Sequence, residues 1–181
     1  VRAVHLNHCL RGEESLRDEQ AVRTFCREMG ISLSICREDV GAMAREKGLS
    51  LEDAGREARY AFFEKEAHLS LEEGLSPLIL TAHTLSDDLE TALYRLVRGS
   101  GLDGLCGIER ERKLGPFTVF RPMLGISRAE VENYCQLYDI PFVTDSSNLS
   151  TDYARNRLRQ EVVPVLQELN PAFISTLTAN L

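Results

Sequence analysis

Residues 81–102, TAHTLSDDLETALYRLVRGSGL, decide the fold. The segment LSPLILTAH just before them holds a short apolar run after Pro77 and predicts a buried strand from Leu78 to Thr81. Beyond it, Leu89, Ala92, Leu93, Leu96 and Val97 recur at helical spacing and predict one apolar stripe on a helix over 85–97. Asp87, Glu90, Thr91 and Tyr94 fall at i, i+3, i+4 and i+7, so a second, polar face is expected beside the stripe. Asp87 and Glu90 are expected in the first turn of this helix, where its positive end favours carboxylates. A strand that runs into an acidic helix start, with a glycine loop after the helix, points to a ligand site at a sheet edge.

Strands and helices alternate along the first two-thirds of the chain. VRAVHLNH reads as a strand with Val4 and Leu6 inside, and a helix follows from about Glu14 to Met29 with Val22, Phe25, Cys26 and Met29 as its stripe. ISLSI alternates as a second strand. Ser50-x-x-Asp53 reads as a helix start, continued by Ala54, Ala58, Ala61 and Phe62. This β-α-β-α-β-α order predicts an α/β fold with a doubly wound, mostly parallel sheet. After Gly104 the texture changes. GPFTVFRPM reads as extended, and Ser127-Arg-Ala-Glu130 is a capping box whose helix should end near Tyr138, before Pro141. IPFVTDSSN reads as a strand entering a polar turn. Leu158, Val162, Val165, Leu166 and Leu169 continue as a helical pattern in which Pro164 predicts a break or kink. Residues 149–181 are expected to form a helical appendage to a domain over 1–148.

Composition narrows the classes. A chain of 181 residues with 43% hydrophobic content can bury a core of its own. The apolar runs are too short to span a bilayer, so no membrane partner is expected. VRAVHLN shows no signal-peptide pattern, and five widely spaced cysteines without a C-x-x-C pair argue against a disulfide framework, a zinc ribbon or an iron–sulfur cluster. A reducing cytoplasm is the expected location. The net charge of −7 argues against bulk electrostatic binding of nucleic acid, yet Arg95, Arg98, Arg110, Arg112, Lys113, Arg121 and Arg128, then Arg155, Arg157 and Arg159, allow a local basic surface.

In a doubly wound sheet, ligands sit beyond the carboxyl ends of the strands. His5–Arg11, the loop after Ile35 and His83–Asp88 belong at that edge by order alone, and the turn Asp145-Ser-Ser-Asn148 is a candidate to join them. Each feature has a plainer explanation. HLNHCLRG is equally a polar turn, Asp87 and Glu90 are equally helix-stabilising acids, and Arg98-Gly-Ser-Gly101 is equally a glycine-ended helix cap. Arg155, Arg157 and Arg159 are equally a solvated face, although Arg155 and Arg159 at i, i+4 repel each other without an anionic partner. His83 and Asp87 at i, i+4, with His5 and His8, also permit a metal reading. Histidines at strand ends more often hydrogen-bond or face phosphate, and no metal site is expected.

The motifs taken together carry a family resemblance. TAHTLSDDLETALYRLVRGSGLDGL resembles the H-x-x-x-D-D-x-x-E-T and R-G-S-G-L-x-G-L segments of the tRNA(Ile)-lysidine synthetases, PP-loop ATP pyrophosphatases. HLNHCLRGEES, GREARYAFF, FRPMLGISRAEVENYC, DSSNLSTDYARNRLRQEVVPVL and ELNP match in the expected order. The resemblance implies a two-step ligation in the cytoplasm. ATP adenylates the carbonyl oxygen at carbon 2 of the wobble cytidine in an isoleucine tRNA with a CAU anticodon, and free lysine then displaces AMP. It implies carboxylates for the lysine ammonium, Asp87 and Glu90, with His83 and Asp88 beside the nucleotide or ordering those acids. His83, Asp87, Glu90 and Arg98 are thus the expected catalytic set. His5, Asn7, His8 and Arg11, with His83 and Asp88, are implied for the ATP or cytidine pocket. Arg98, Ser100, Asp145, Asn148, Arg155, Asn156, Arg157 and Arg159 are implied for phosphates or the tRNA backbone. Mg²⁺ would accompany ATP and be held mainly through its phosphates. A homodimer is a family-level expectation.

The family's S-G-G-x-D-S loop follows a first strand, whereas this sequence opens at what reads as the second, so the domain over 1–148 is expected without that strand and loop. Two further classes stay open: another PP-loop tRNA-modifying enzyme of the cytidine 2-thiolase type, and a non-catalytic fragment.

Overall fold

The computed structural model describes residues 1–101, 106–143 and 154–178. In chain order the elements are β1 (Arg2–Asn7), α1 (Glu13–Glu28), β2 (Ser32–Arg37), α2 (Val40–Lys47), α3 (Leu51–Glu72), β3 (Leu78–Leu80), α4 (Leu85–Val97), β4 (Glu111–Leu114), β5 (Phe117–Phe120), α5 (Arg128–Leu137), α6 (Ala154–Arg157), a π-helical segment (Leu158–Val162), α7 (Val163–Leu169) and α8 (Phe173–Thr178). The α/β organisation expected from the sequence is present. β1 and β2 pair in parallel, from Arg2 opposite Ser32 to Asn7 opposite Arg37, and α1 is the crossover that such a pair requires. The remaining strands form a sheet of order β3-β5-β4. β4 and β5 make a hairpin whose two-residue loop begins with Gly115 at φ +54°, the backbone sign that suits a right-twisted hairpin.

Two compact units result: Val1–Ile79 with Lys113–Thr118, and Leu80–Arg112 with Val119–Leu181. In the first, Val40, Ala44 and Ala54 form a buried cluster with Met43 and Ala58 packed against it. His68 meets the Phe117 ring edge-on at a centroid distance of 4.8 Å. In the second, α4 gives Leu89 and Leu93 to a cluster completed by Leu158 and Val163, with Tyr94, Leu166, Phe173, Ile174 and Leu177 around it. The helices over 154–178 thus pack on α4.

Several expectations needed correction. The Leu78–Thr81 strand forms over Leu78–Leu80, but Leu78 and Leu80 are exposed, not buried. α1 buries Ser15, Glu19 and Cys26, while Phe25 and Met29 of its expected stripe are exposed. On α4 the apolar stripe is buried only to Leu93, and Leu96 and Val97 face solvent. On its polar face Glu90 and Thr91 are 3% and 4% exposed, because the C-terminal helices cover it. α2 and β4 were not foreseen. Pro141–Val143 has no regular structure, and the rest of IPFVTDSSN lies outside the described residues. The break expected at Pro164 is a π-helical turn just before it, in which the Val163 N–H donates to the Leu158 carbonyl. Among the described residues, no helix is long and apolar enough to cross a membrane.

Candidate active site

Within the second unit the candidate site is built on α4. Thr84 begins the helix in an extended conformation. The Asp87 carboxylate reaches back to accept from the Thr84 N–H and from its hydroxyl, both at 2.7 Å. This satisfies one of the orphan donors at a helix start. His83 Nδ1 lies 2.9 Å from the Thr81 hydroxyl. Asp88 turns to the loop after the helix, where the Ile108 N–H donates to its carboxylate. The neighbouring Gly107 carbonyl accepts from Arg95 Nη1. Burial pushes the Asp88 carboxyl above its ordinary range, against the Ile108 amide and the Arg95 charge. Asp88 therefore anchors the loop at Gly107.

Glu90 lies one turn further on. The Arg159 guanidinium grips it at two points, Nε to Oε1 at 2.6 Å and Nη2 to Oε2 at 3.0 Å. That hydrogen-bonded carboxylate raises the Arg159 pKa above its usual value, and Asp87 contributes to the same field. Arg155 donates to the Thr91 hydroxyl at 3.3 Å. The guanidinium carbons of Arg155 and Arg98 each lie 5.5 Å from the Tyr94 ring centroid, within cation–π range. Arg157 is exposed and pairs with Glu161 on its own helix. At the C-terminal end of α4, the Gly99 N–H donates to Leu96 O and the Ser100 N–H to Arg95 O, both at 3.0 Å, with Gly99 at φ +79°. This is a Schellman cap, so the R-G-S-G stretch ends the helix and leaves Arg98 and Ser100 exposed. Asn156 sits on α6, half-buried. Asp145 and Asn148 lie outside the described residues.

The first unit carries the other predicted set at the carboxyl end of β1. His5 and His8 are half-buried, and burial lowers both imidazole pKa values. His8 rests on α3 where Gly55 leaves room, since a Cβ there would lie 3.4 Å from its ring. Arg11 pairs with Asp18 at 2.8 Å and with Glu14. Asn7 is buried, its amide donating to Ser15 O and to Glu19.

Glu19, a site residue in the structural sense, escaped the sequence reading. It is 2% exposed and accepts from Arg37 through Nε and Nη2 at 2.8 and 2.9 Å, from Arg23 at 2.9 Å and from Asn7 at 2.9 Å. The signal was there: Ser15, Glu19, Val22 and Cys26 are spaced i, i+4, i+7, i+11, which puts an acid on the stripe facing inward. Among the described residues, no three His, Cys, Asp or Glu side chains group as a metal site.

The PP-loop domain family matches residues 1–166. The chain belongs to the PP-loop domain family. It is 42% identical over 175 residues to the tRNA(Ile)-lysidine synthase of Bacteroides thetaiotaomicron, covering 97% of this chain and 39% of that protein. It is 40% identical over 168 residues to the tRNA(Ile)-lysidine synthase of Clostridium tetani, covering 93% of this chain and 34% of that protein. The chain thus spans well under half the length of these relatives. Among solved structures it resembles the U34-tRNA thiolase NcsA from Methanococcus maripaludis, with a TM-score of 0.68 at 14% identity, covering 98% of this chain and 60% of that one. At that identity the likeness shows a shared fold alone.

Proposed function

We propose that this PP-loop chain supplies part of the catalytic region of a cytoplasmic tRNA(Ile)-lysidine synthetase. The observation that carries the reading is the 42% identity along 97% of the chain to a protein named for that activity. In the reaction, the carbonyl oxygen at carbon 2 of the wobble cytidine attacks the α-phosphorus of ATP and pyrophosphate leaves. The lysine amine then attacks carbon 2, and AMP leaves with that oxygen. An ammonium has to be bound and deprotonated before it can attack, and the carboxylates of Asp87 and Glu90 suit both tasks. His83 borders the same helix start. Asp88 acts at one remove, holding the loop at Gly107.

Arg98, Arg155 and Arg157, with Ser100, Asp145, Asn148 and Asn156, are the proposed contacts to phosphates. His5, His8 and Arg11 belong to the ATP or cytidine pocket, and Asn7 supports that turn from beneath, accepting the Cys9 N–H at 3.0 Å. Mg²⁺ would accompany ATP and be held mainly through its phosphates. Residues 1–148 are proposed as the catalytic domain and 149–181 as its helical appendage, with a homodimer as the proposed assembly.

Incubation of the full-length protein with ATP, labelled lysine and isoleucine tRNA is the test. Label is expected in the tRNA, with loss of transfer in E90Q and D87N. A wild-type protein that transfers no lysine overturns the reading, and sulfur incorporation dependent on Cys9 or Cys106 would move it to cytidine thiolation.

A further inference from the structure

Arg159 is one of the basic residues whose motif suggests a contact with phosphate, yet its guanidinium faces inward. Its fork lies along one edge of the Glu90 carboxylate, at 2.6 and 3.0 Å, and the side chains are 29% and 5% exposed. A carboxylate offers about four lone-pair positions. A two-point clamp occupies the two on one edge, fixes the carboxylate plane and leaves the outer positions directed away from the guanidinium. A single hydrogen bond would fix neither the plane nor the free edge.

The backbone around Arg159 is specialised for this placement. It lies in the π-helical segment Leu158–Val162, and such segments occur often at functional sites. Leu158, its neighbour, is buried against Leu89 and Leu93 of α4, so the helix that carries the guanidinium is fixed to the helix that carries the acid. Four residues earlier, Arg155 meets Thr91, the neighbour of Glu90.

We propose that Arg159 is a positioning residue for the ammonium subsite: it orients Glu90 so that the free edge of the carboxylate meets the substrate amine, and it does not bind tRNA phosphate. The inference rests on the lysine-ligation reading above. It ties the C-terminal helices to the second chemical step, amine attack, and leaves adenylation independent of Arg159.

The test uses full-length R159Q and R159K beside wild type, with three readouts: KM for lysine, lysine-independent pyrophosphate release on isoleucine tRNA, and tRNA affinity as a function of salt. In R159Q the KM for lysine is expected to rise on the order of tenfold or more, the loss of a charge-assisted hydrogen bond. Pyrophosphate release and the salt slope of tRNA binding should match wild type. R159K is expected to recover part of the KM, because an ammonium supplies the charge without the fork. An unchanged or lowered KM overturns the proposal, as does a weaker tRNA affinity with a shallower salt slope. If R159Q melts below the assay temperature, R159K decides on the same readouts, a raised KM with intact pyrophosphate release supporting the proposal and an unchanged KM overturning it. A wild type that transfers no lysine overturns both this inference and the reading beneath it, whereas a working wild type with unaffected variants overturns this inference alone.

Discussion

Gly107 holds a position that a side chain cannot share. Its φ is +61°, and a Cβ built there would clash with the Asp88 carboxylate. The carboxylate occupies that space because it accepts the next N–H, that of Ile108. G107A is therefore expected to destabilise by about 1–3 kcal/mol from the left-handed backbone alone, with more from the displaced carboxylate, read as a lowered urea midpoint at constant m. At this scale the sequence marks which residues are special better than it assigns their partners. The D-D-x-x-E run was legible as important. That Asp87 caps, Asp88 anchors a loop and Glu90 meets Arg159 depends on groups 3, 20 and 69 positions away, and only the first of those is local.

At the scale of elements, legibility follows how much of each element's reason is local. α4 was expected over Leu85–Val97 and forms there, because its stripe and its start signals agree. α5 begins at Ser127 as its capping box requires, with the Ser127 hydroxyl accepting the Glu130 N–H at 3.2 Å and the Glu130 carboxylate accepting the Ser127 N–H at 2.8 Å. S127A is expected to cost about 0.5–2 kcal/mol, seen as a lower thermal midpoint. α2 was missed although it has Asp39 as N-cap and Gly48 as a left-handed C-cap; eight residues with Gly41 near the start show little periodicity. β4 was missed for a different reason. Glu111, Arg112 and Lys113 are exposed on an edge strand, and charged residues there suit an edge that must not recruit another chain.

At the scale of the molecule, each unit depends on a buried charge compensated from neighbouring elements. In the first unit, Glu19 on α1 ties β1 through Asn7 and β2 through Arg37. The Arg37 hydrogen bonds hold its carboxyl well below the usual range, helped by Asn7 and Arg23 and opposed by burial. A depressed native pKa gives stability that is complete above the unfolded-state pKa, about 4.3, and is lost as pH falls through the native value. E19Q should therefore be less stable than wild type at neutral pH, and the gap should narrow as urea midpoints are followed down to about pH 3; a gap constant with pH would exclude this role. The α/β class was legible because alternation of elements is a property of the whole chain. The burial of Glu90 was not, since it depends on a cover supplied some seventy residues later.

The π-helical turn before Pro164 has one more consequence. It widens a single turn, so the chain spends one residue without the usual advance around the axis. Each residue of an α-helix advances the next by about 100°. The turn therefore acts as a phase shifter between Arg159 on one side and Val163 and Leu166 on the other, letting one helix aim a charge at α4 and apolar residues at the same core. Deleting a single residue from Leu158–Val162 would return an ordinary helix of nearly the same composition. Because the residue removed is the one that makes no advance, α7 would keep its phase, while the side chains of the widened turn, Arg159 among them, would be redirected, so the length of this stretch is constrained along with the identity of its arginine.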